Sequence, residues 1–207
     1  MSIKLIAFDL DGVLVDDPGS WAMVHKGLGT LEIARRHEQE FSKGLINYDQ
    51  WAQRDALLWK GADIRKVERI LSDVPLMKGI HETLPYLQKK YKLAILSGGL
   101  KLLADRVMDL FGMDYVVAND LIVEDGLIKG IKQSMAFNDK GRILRDTAVR
   151  FNIKASECAA VGDYLNDIPM FETAGLSVAF NPKSDEVSKR ANYVIHQKDL
   201  KRLLEIF

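Results

Sequence analysis

The apolar run from Ile3 to Phe8 stops abruptly at Asp9-Leu-Asp11-Gly12, and this junction constrains the fold more than any other stretch. A short apolar run bounded by a turn reads as a strand buried on both faces, the signature of a parallel sheet. Residues i and i+2 of a strand share a face, so Asp9 and Asp11 can enter one site together. Open α/β sheets bind ligands at the carboxyl ends of their strands. The ordinary alternative is an Asp-rich loop after a strand, with no chemistry attached.

The rest of the chain supplies the sheet. Val15-Asp-Asp-Pro-Gly19 is dense in turn formers. From Ser20 to Asp73 no β pattern occurs, and apolar residues recur at helical spacing, as at Leu28, Leu31, Ile33 and Ala34. Asn47 with Gln50 forms a capping-box pattern that starts a second helix, and Asp63 caps a third. Trp21, Trp51 and Trp59, all the tryptophans of the chain, fall in this helical block. It is expected to form a helical cap over residues 15–75, inserted into a core of residues 1–14 and 76–207.

Beyond Val74-Pro75-Leu76-Met77, strands and helices alternate. The pattern gives a helix from Gly79 to Tyr91 despite Pro85, a strand Leu93 to Leu96, a helix Lys101 to Phe111 and a strand Tyr115 to Ala118. A hairpin follows over Leu121 to Ile131, turning at Glu124-Asp-Gly126. Then come a helix Lys140 to Phe151, a strand Cys158 to Val161 and a helix Asp167 to Thr173. Strands Leu176 to Ala179 and Tyr193 to Ile195 precede a closing helix, Asp199 to Phe207. Such alternation implies a doubly wound, Rossmann-like α/β sheet with helices on both faces.

Composition narrows the partners. Acidic and basic residues balance at 29 each, so no global field recruits nucleic acid or an anionic membrane. No apolar run approaches the ~18 residues of a membrane span, and the amino terminus lacks a signal-peptide pattern. A single cysteine, Cys158, sits in an apolar run, which suits a packing residue in a reducing compartment. A cytoplasmic protein is expected.

Three more polar clusters follow short apolar strands. Ser97-Gly98-Gly99 offers a hydroxyl and two glycine amides where an anion can be cradled, although an ordinary strand-to-helix turn has the same composition. Gly162-Asp163-Tyr-Leu-Asn166-Asp167 brings two carboxylates and an amide oxygen, hard ligands of the kind magnesium takes. Helix capping by Asp163 or Asn166 is compatible with that role. Lys140 opens a helix between them and would be an ordinary surface charge were it not part of the wider pattern.

That pattern resembles the haloacid dehalogenase-like hydrolase superfamily, in its phosphoserine phosphatase-like branch. The four motifs stand in order as Asp9-Leu-Asp11-Gly12, Ser97-Gly98-Gly99, Lys140 and Gly162-Asp163-x-x-Asn166-Asp167. The resemblance spans the whole chain, with the helical insertion matching that branch's cap. It implies an Mg2+-dependent phosphatase of a small phosphorylated metabolite. Asp9 would be the nucleophile that becomes an aspartyl phosphate, and Asp11 the general acid and base. Magnesium would be held by Asp9, the Asp11 carbonyl and Asp163, with Asp167 as a ligand or just behind and Asn166 in support. Ser97, the Gly98 amide and Lys140 would hold the phosphoryl oxygens. The alternatives among enzymes are a phosphoserine phosphatase proper, or a phosphotransferase or mutase using the same intermediate, and a catalytically silent phosphate-binding module is the alternative outside them.

Departures from the family pattern bear on the substrate. Val13 replaces a common threonine, and Tyr164-Leu165 replaces small residues. In the cap, Asp55 falls where an ungapped alignment expects the arginine that binds a substrate carboxylate, with Arg54 one residue away. Pro18 stands where that branch has a glutamate for the substrate amine. Trp21, Tyr48, Trp51 and Arg54 are the candidate pocket residues of the cap, its aromatics suiting a less polar leaving group.

Overall fold

The computed structural model describes residues 2–207. Seven strands form one sheet in the order β4-β3-β2-β1-β5-β6-β7. They are β1 (Leu5–Phe8), β2 (Lys92–Leu100), β3 (Tyr115–Glu124), β4 (Leu127–Lys132), β5 (Cys158–Gly162), β6 (Leu176–Phe180) and β7 (Tyr193–Ile195). All neighbours run parallel except β3 and β4, which form the hairpin. β1 is central, with Phe8 opposite Ile95 on one side and Val161 on the other. The chain fills the sheet first towards β4 and then towards β7. Its order therefore reverses beside β1, where doubly wound sheets open a crevice.

Four fully buried residues make up β1. Ile6 and Phe8 belong to one hydrophobic cluster, with Ile95, Val161 and Phe180. Leu5 and Ala7 belong to the cluster on the opposite face, with Leu96, Cys158 and Ala160. The all-apolar run thus serves two cores at once. Cys158 is buried in the second of them.

The insertion between β1 and β2 begins with four helices, one more than the spacing suggests: α1 (Gly19–Leu28), α2 (Leu31–Ser42), α3 (Tyr48–Leu57) and α4 (Ile64–Ser72). The extra break lies at Gly29, whose φ of 75° ends α1 in a left-handed cap within an otherwise helical apolar pattern. Asn47 and Gln50 form the reciprocal capping box, and the Asp63 carboxylate accepts from the Arg65 N–H. The tryptophans do not form a core apart from the sheet. Trp59 is buried in the same cluster as Phe8 and Ile95, along with Val67 and Leu71. Segment 61–64 also exchanges backbone hydrogen bonds with the β3–β4 hairpin, through Gly61 to Ile128, Ile128 to Ala62 and Ile64 to Gly126.

The helices α5 (Ile80–Gln88), α6 (Lys101–Phe111), α7 (Lys140–Arg150) and α8 (Ile168–Thr173) follow the sequence pattern closely. Four differences stand out. β2 does not end at Leu96 but continues through Leu100, which pairs with Asn119 beyond a register shift. β3 runs unbroken into the hairpin. A short helix, α9 (Asp185–Arg190), is capped by Ser184 and has too few residues to show periodicity. The closing segment is a 3-10 helix, Leu200–Glu205. Among the described residues, no helix is long and apolar enough to cross a membrane.

Candidate active site

The carboxyl ends of β1, β2 and β5 meet beneath the inserted helices around a cavity of about 520 Å3. Asp9 extends β1 by one residue, its N–H bonded to the Val161 carbonyl of β5 at 2.9 Å. Its Oδ1 accepts from the Leu10 N–H at 2.8 Å and faces Lys140 Nζ at 2.8 Å. No hydrogen bond to Oδ2 occurs among the described residues. One oxygen is pinned while the other remains available on a residue that lines the cavity.

Asp11 is turned towards the inserted helices. Ser20, in the first turn of α1, donates its N–H to Asp11 Oδ1 at 2.8 Å and its hydroxyl to Oδ2 at 2.6 Å. The same hydroxyl accepts from the Leu100 N–H at 3.1 Å, tying α1, Asp11 and the end of β2 together. Burial pushes the Asp11 carboxyl up to about 6, opposed by the Ser20 hydroxyl and assisted by the charge of Asp9. Ser20 is fully buried. The sequence offered one signal for it, a hydroxyl residue just after the Pro18-Gly19 turn, and that signal is too common to single it out.

Lys140 is 0% exposed and does not line the cavity. Its Nζ bridges Asp9 Oδ1 and Asp167 Oδ1, the latter at 2.6 Å. Burial alone would pull this amine down, but Asp167 and Asp9 outweigh it and hold the ammonium above its ordinary range. Its first partners are thus the site's own carboxylates rather than open space where a phosphate would sit. Asp167 Oδ2 accepts from the N–H groups of Asp163 and Tyr164 at 2.9 and 3.0 Å, so both oxygens of Asp167 are engaged. Asp163 is freer: its nearest cation is Lys183, whose Nζ lies 3.9 Å from Oδ2.

Oxygens of Asp9, Asp163 and Asp167 all lie within 4.8 Å of one another, and all three residues are buried. Burial, with the neighbouring carboxylates, pushes the Asp163 and Asp167 carboxyls upward. Gly12 makes this convergence possible. Its φ is 83°, and a Cβ there would run into the Asp163 carboxylate. Crowded hard oxygen donors of like charge are the environment that a hard divalent cation relieves, so the residues present fit a metal ion.

Ser97, Gly98 and Gly99 line the same cavity. They sit on the extended end of β2 rather than in a turn. The Gly98 carbonyl accepts from Asn119 Nδ2 at 2.9 Å, Trp21 Nε1 at 3.1 Å and Tyr48 Oη at 3.4 Å. Three donors from three elements thus fix this strand end, and the composition of the motif gave no sign of them. Asn166 also lines the cavity, with its Oδ1 buried and unpartnered.

Of the candidate cap residues, Trp21, Tyr48 and Trp51 line the cavity and Arg54 does not. Arg54 turns outward and pairs with Glu40 at 2.7 Å. Adjacent helical residues point about 100° apart, so Asp55 occupies the inward position and Arg54 cannot. Asp55 is 4% exposed and lines the cavity, and the exposed residues Glu38, Pro18 and Lys183 line it too. Phe137, from the loop before α7, stands 5.6 Å from Tyr48 ring to ring. Sequence reasoning did not find Glu38, Phe137 or Lys183, which reach the cavity from separate elements.

The haloacid dehalogenase-like hydrolase family model matches residues 3–175. The chain belongs to that family. It is 33% identical to the phosphoserine phosphatase of Methanocaldococcus jannaschii over 98% of this chain and 96% of that protein. It is 32% identical to the phosphoserine phosphatase of Campylobacter jejuni over 99% of both. Among solved structures, a phospho-aspartyl intermediate analogue of phosphoserine phosphatase superposes over 100% of both chains, with a TM-score of 0.89 and 32% identity. A substrate-bound phosphoserine phosphatase matches with the same TM-score at 31% identity. The family and fold that the four motifs imply are therefore shared with phosphatases along the full length of the chain. Within the haloacid dehalogenase-like hydrolases, the Asp9, Asp11, Asp163 and Asp167 constellation is where the reaction of this chain is to be sought.

Proposed function

We propose that this chain is an Mg2+-dependent phosphatase that hydrolyses a small phosphomonoester through an aspartyl phosphate on Asp9. The observation that carries this reading is the asymmetry of Asp9. Lys140 and the Leu10 amide fix Oδ1, which aims Oδ2 as a nucleophile and stabilises the carboxylate without occupying it. Oδ2 attacks phosphorus, the bond from phosphorus to the ester oxygen breaks, and Asp11 delivers its proton to the departing alkoxide. Asp11, now ionised, takes a proton from the water that attacks the phosphoenzyme, releasing phosphate and restoring Asp9. A carboxyl raised to about 6 can serve in both directions near neutral pH. Ser97, the Gly98 amide and the remaining N–H of Lys140 hold the phosphoryl oxygens.

Asp9, Asp163 and the Asp11 carbonyl would hold the magnesium, with Asp167 fixing the Asp163 loop and Asn166 in support. The ion would neutralise charge between the carboxylates and the incoming phosphate. The reading places residues 15–75 as a cap over a core of 1–14 and 76–207. The reduced, buried Cys158 accords with a cytoplasmic location.

The relatives are named for phosphoserine. The cavity wall around Asp55 carries no arginine for a carboxylate, and we therefore place phosphoserine low among the substrates. Phosphate release from a panel of phosphorylated metabolites, with and without Mg2+, tests the reading. Asp9→Asn should abolish release and keep the fold. Magnesium-independent release that survives in Asp9→Asn would overturn it, and phosphoserine ranking first would overturn the substrate placement.

A further inference from the structure

We infer that the leaving group of the substrate carries a cationic nitrogen, held by Asp55 and Glu38 among the aromatic side chains of the inserted helices. The inference rests on the phosphatase reading above and names the substrate class of the same site.

The two ends of the cavity differ in chemistry. At the sheet edge, Asp9, Asp11 and Asp163 account for the phosphate and its counter-ion. The inserted helices contribute Trp21, Tyr48, Trp51, Asp55 and Glu38 to the lining, and Phe137 joins them from the loop before α7. Lys183 is the lysine in the lining. It belongs to the sheet end, held at 3.1 Å by Asp17 and 3.9 Å from Asp163. Arg54 is outside, paired with Glu40. The lining that the inserted helices supply, from α1 to α3, thus has two acids, several π faces and no base. Aromatic faces attract cations through their quadrupoles, and a carboxylate completes such a site. A carboxylate-bearing leaving group would meet repulsion, and an apolar one would leave the buried Asp55 Oδ2 without a hydrogen-bond donor.

Asp55 is built to receive a donor. His37 Nδ1 lies 2.6 Å from Oδ1 and fixes the carboxylate. His25 Nε2 is 3.3 Å from Oδ2 but off the line of a hydrogen bond. Trp59 Nε1 can only donate, and it points at His25 Nδ1 at 3.0 Å. The Thr30 hydroxyl lies 2.8 Å from the same His25 nitrogen. Oδ2 keeps capacity for a further N–H donor. Glu38 makes no ion pair among the described residues, although it lies one residue from His37 and faces the same cavity.

Three esters test this: 2-aminoethyl phosphate, its isostere propyl phosphate and the anionic 2-carboxyethyl phosphate, with 4-nitrophenyl phosphate as a reference. The full chain with Mg2+ should give kcat/KM at least tenfold higher for the amine than for the propyl ester, with the carboxylate last. Asp55→Asn and Glu38→Gln should each lower the amine-to-propyl ratio at least threefold, and Asp55→Arg should favour the carboxylate. Release from 4-nitrophenyl phosphate that depends on Asp9, with an amine-to-propyl ratio near one, would overturn this inference and leave the phosphatase reading standing. No release from any ester would overturn both. A tenfold ratio unchanged in the variants would remove the assignment to Asp55 and Glu38. Circular dichroism establishes folding, and if Asp55→Asn does not fold, the exposed Glu38→Gln decides.

Discussion

The Lys140 ammonium and Asp9 Oδ1 form a buried ion pair 2.8 Å apart, and the same ammonium reaches Asp167 at 2.6 Å. One cation therefore orients the proposed nucleophile and anchors the loop that carries Asp163. Lys140→Met keeps the length but leaves two buried carboxylates uncompensated. Breaking a buried pair from one side costs about 3–5 kcal/mol, and urea unfolding should show a loss of that size. Turnover should fall at least about a hundredfold, the scale of losing one preorganised donor. A fully stable, active variant would show that the pair neither aims nor holds Asp9.

Asp163 carries the opposite strain. Burial, with Asp9 and Asp167 nearby, pushes its carboxyl above the ordinary range. The folded metal-free protein then holds a proton that the unfolded chain has released, so stability falls as pH rises between the two values. Asp163→Asn removes that loss. It should raise the Tm of the chelated protein at pH 7.5 by about 2–4 °C for each kcal/mol recovered, given a chain of this size. Added Mg2+ should raise the wild-type Tm and not that of the variant. A chelated variant that melts no higher than wild type would refute the crowding argument.

Ser20 tunes the acid. Burial raises Asp11, and the hydrogen bond from the Ser20 hydroxyl opposes it. Ser20→Ala therefore moves the Asp11 carboxyl further up, away from the value near 6. In the proposed mechanism dephosphorylation requires ionised Asp11, so its acidic limb should shift to higher pH, while protonation of the leaving group persists to higher pH as well. Rapid-quench rates across pH 5–8 would show the shift. A limb in the same place, or moved to lower pH, would sever Ser20 from Asp11.

How legible the chain is depends on where the information is local. β1 could be read because Leu5 to Phe8 is apolar at every position, and the insertion because Asn47, Gln50 and Asp63 cap helices through near neighbours. Three of the four motifs could be placed because each ends or follows a strand, and Lys140 because it opens a helix between two of them. What failed was decided at long range. Leu100 stays in β2 because Asn119 pairs with it, and Gly29 breaks a helix inside a continuous apolar pattern. Arg54 was a pocket candidate by proximity alone, and the helical phase that turns it towards Glu40 is set by how α3 packs. Ser20 became visible only once α1 was seated against β2.

The final prediction concerns the contact between β2 and α3. A Cβ on Gly98 would stand 2.5 Å from Tyr48 Oη, closer than real Cβ atoms come to a neighbour, and 3.7 Å from Cζ. The φ of Gly98 is not in the left-handed region, so alanine carries no backbone penalty there and the clash with the hydroxyl is the main obstacle. Gly98→Ala should push Tyr48, and with it α3, off the strand end and open the cavity over Asp9. We expect kcat/KM to drop at least about tenfold, or 1.4 kcal/mol in the transition state. Tyr48→Phe deletes the obstructing oxygen and forfeits a hydrogen bond that is already long at 3.4 Å, so alone it should cost less than about threefold. In the double variant the nearest ring atom is at ordinary contact distance, and most of the activity should return. The cycle should therefore show a coupling of about 1 kcal/mol, since the two residues touch. Additive losses would mean that Gly98 matters through its own backbone at the phosphate, and not through the space it leaves for Tyr48.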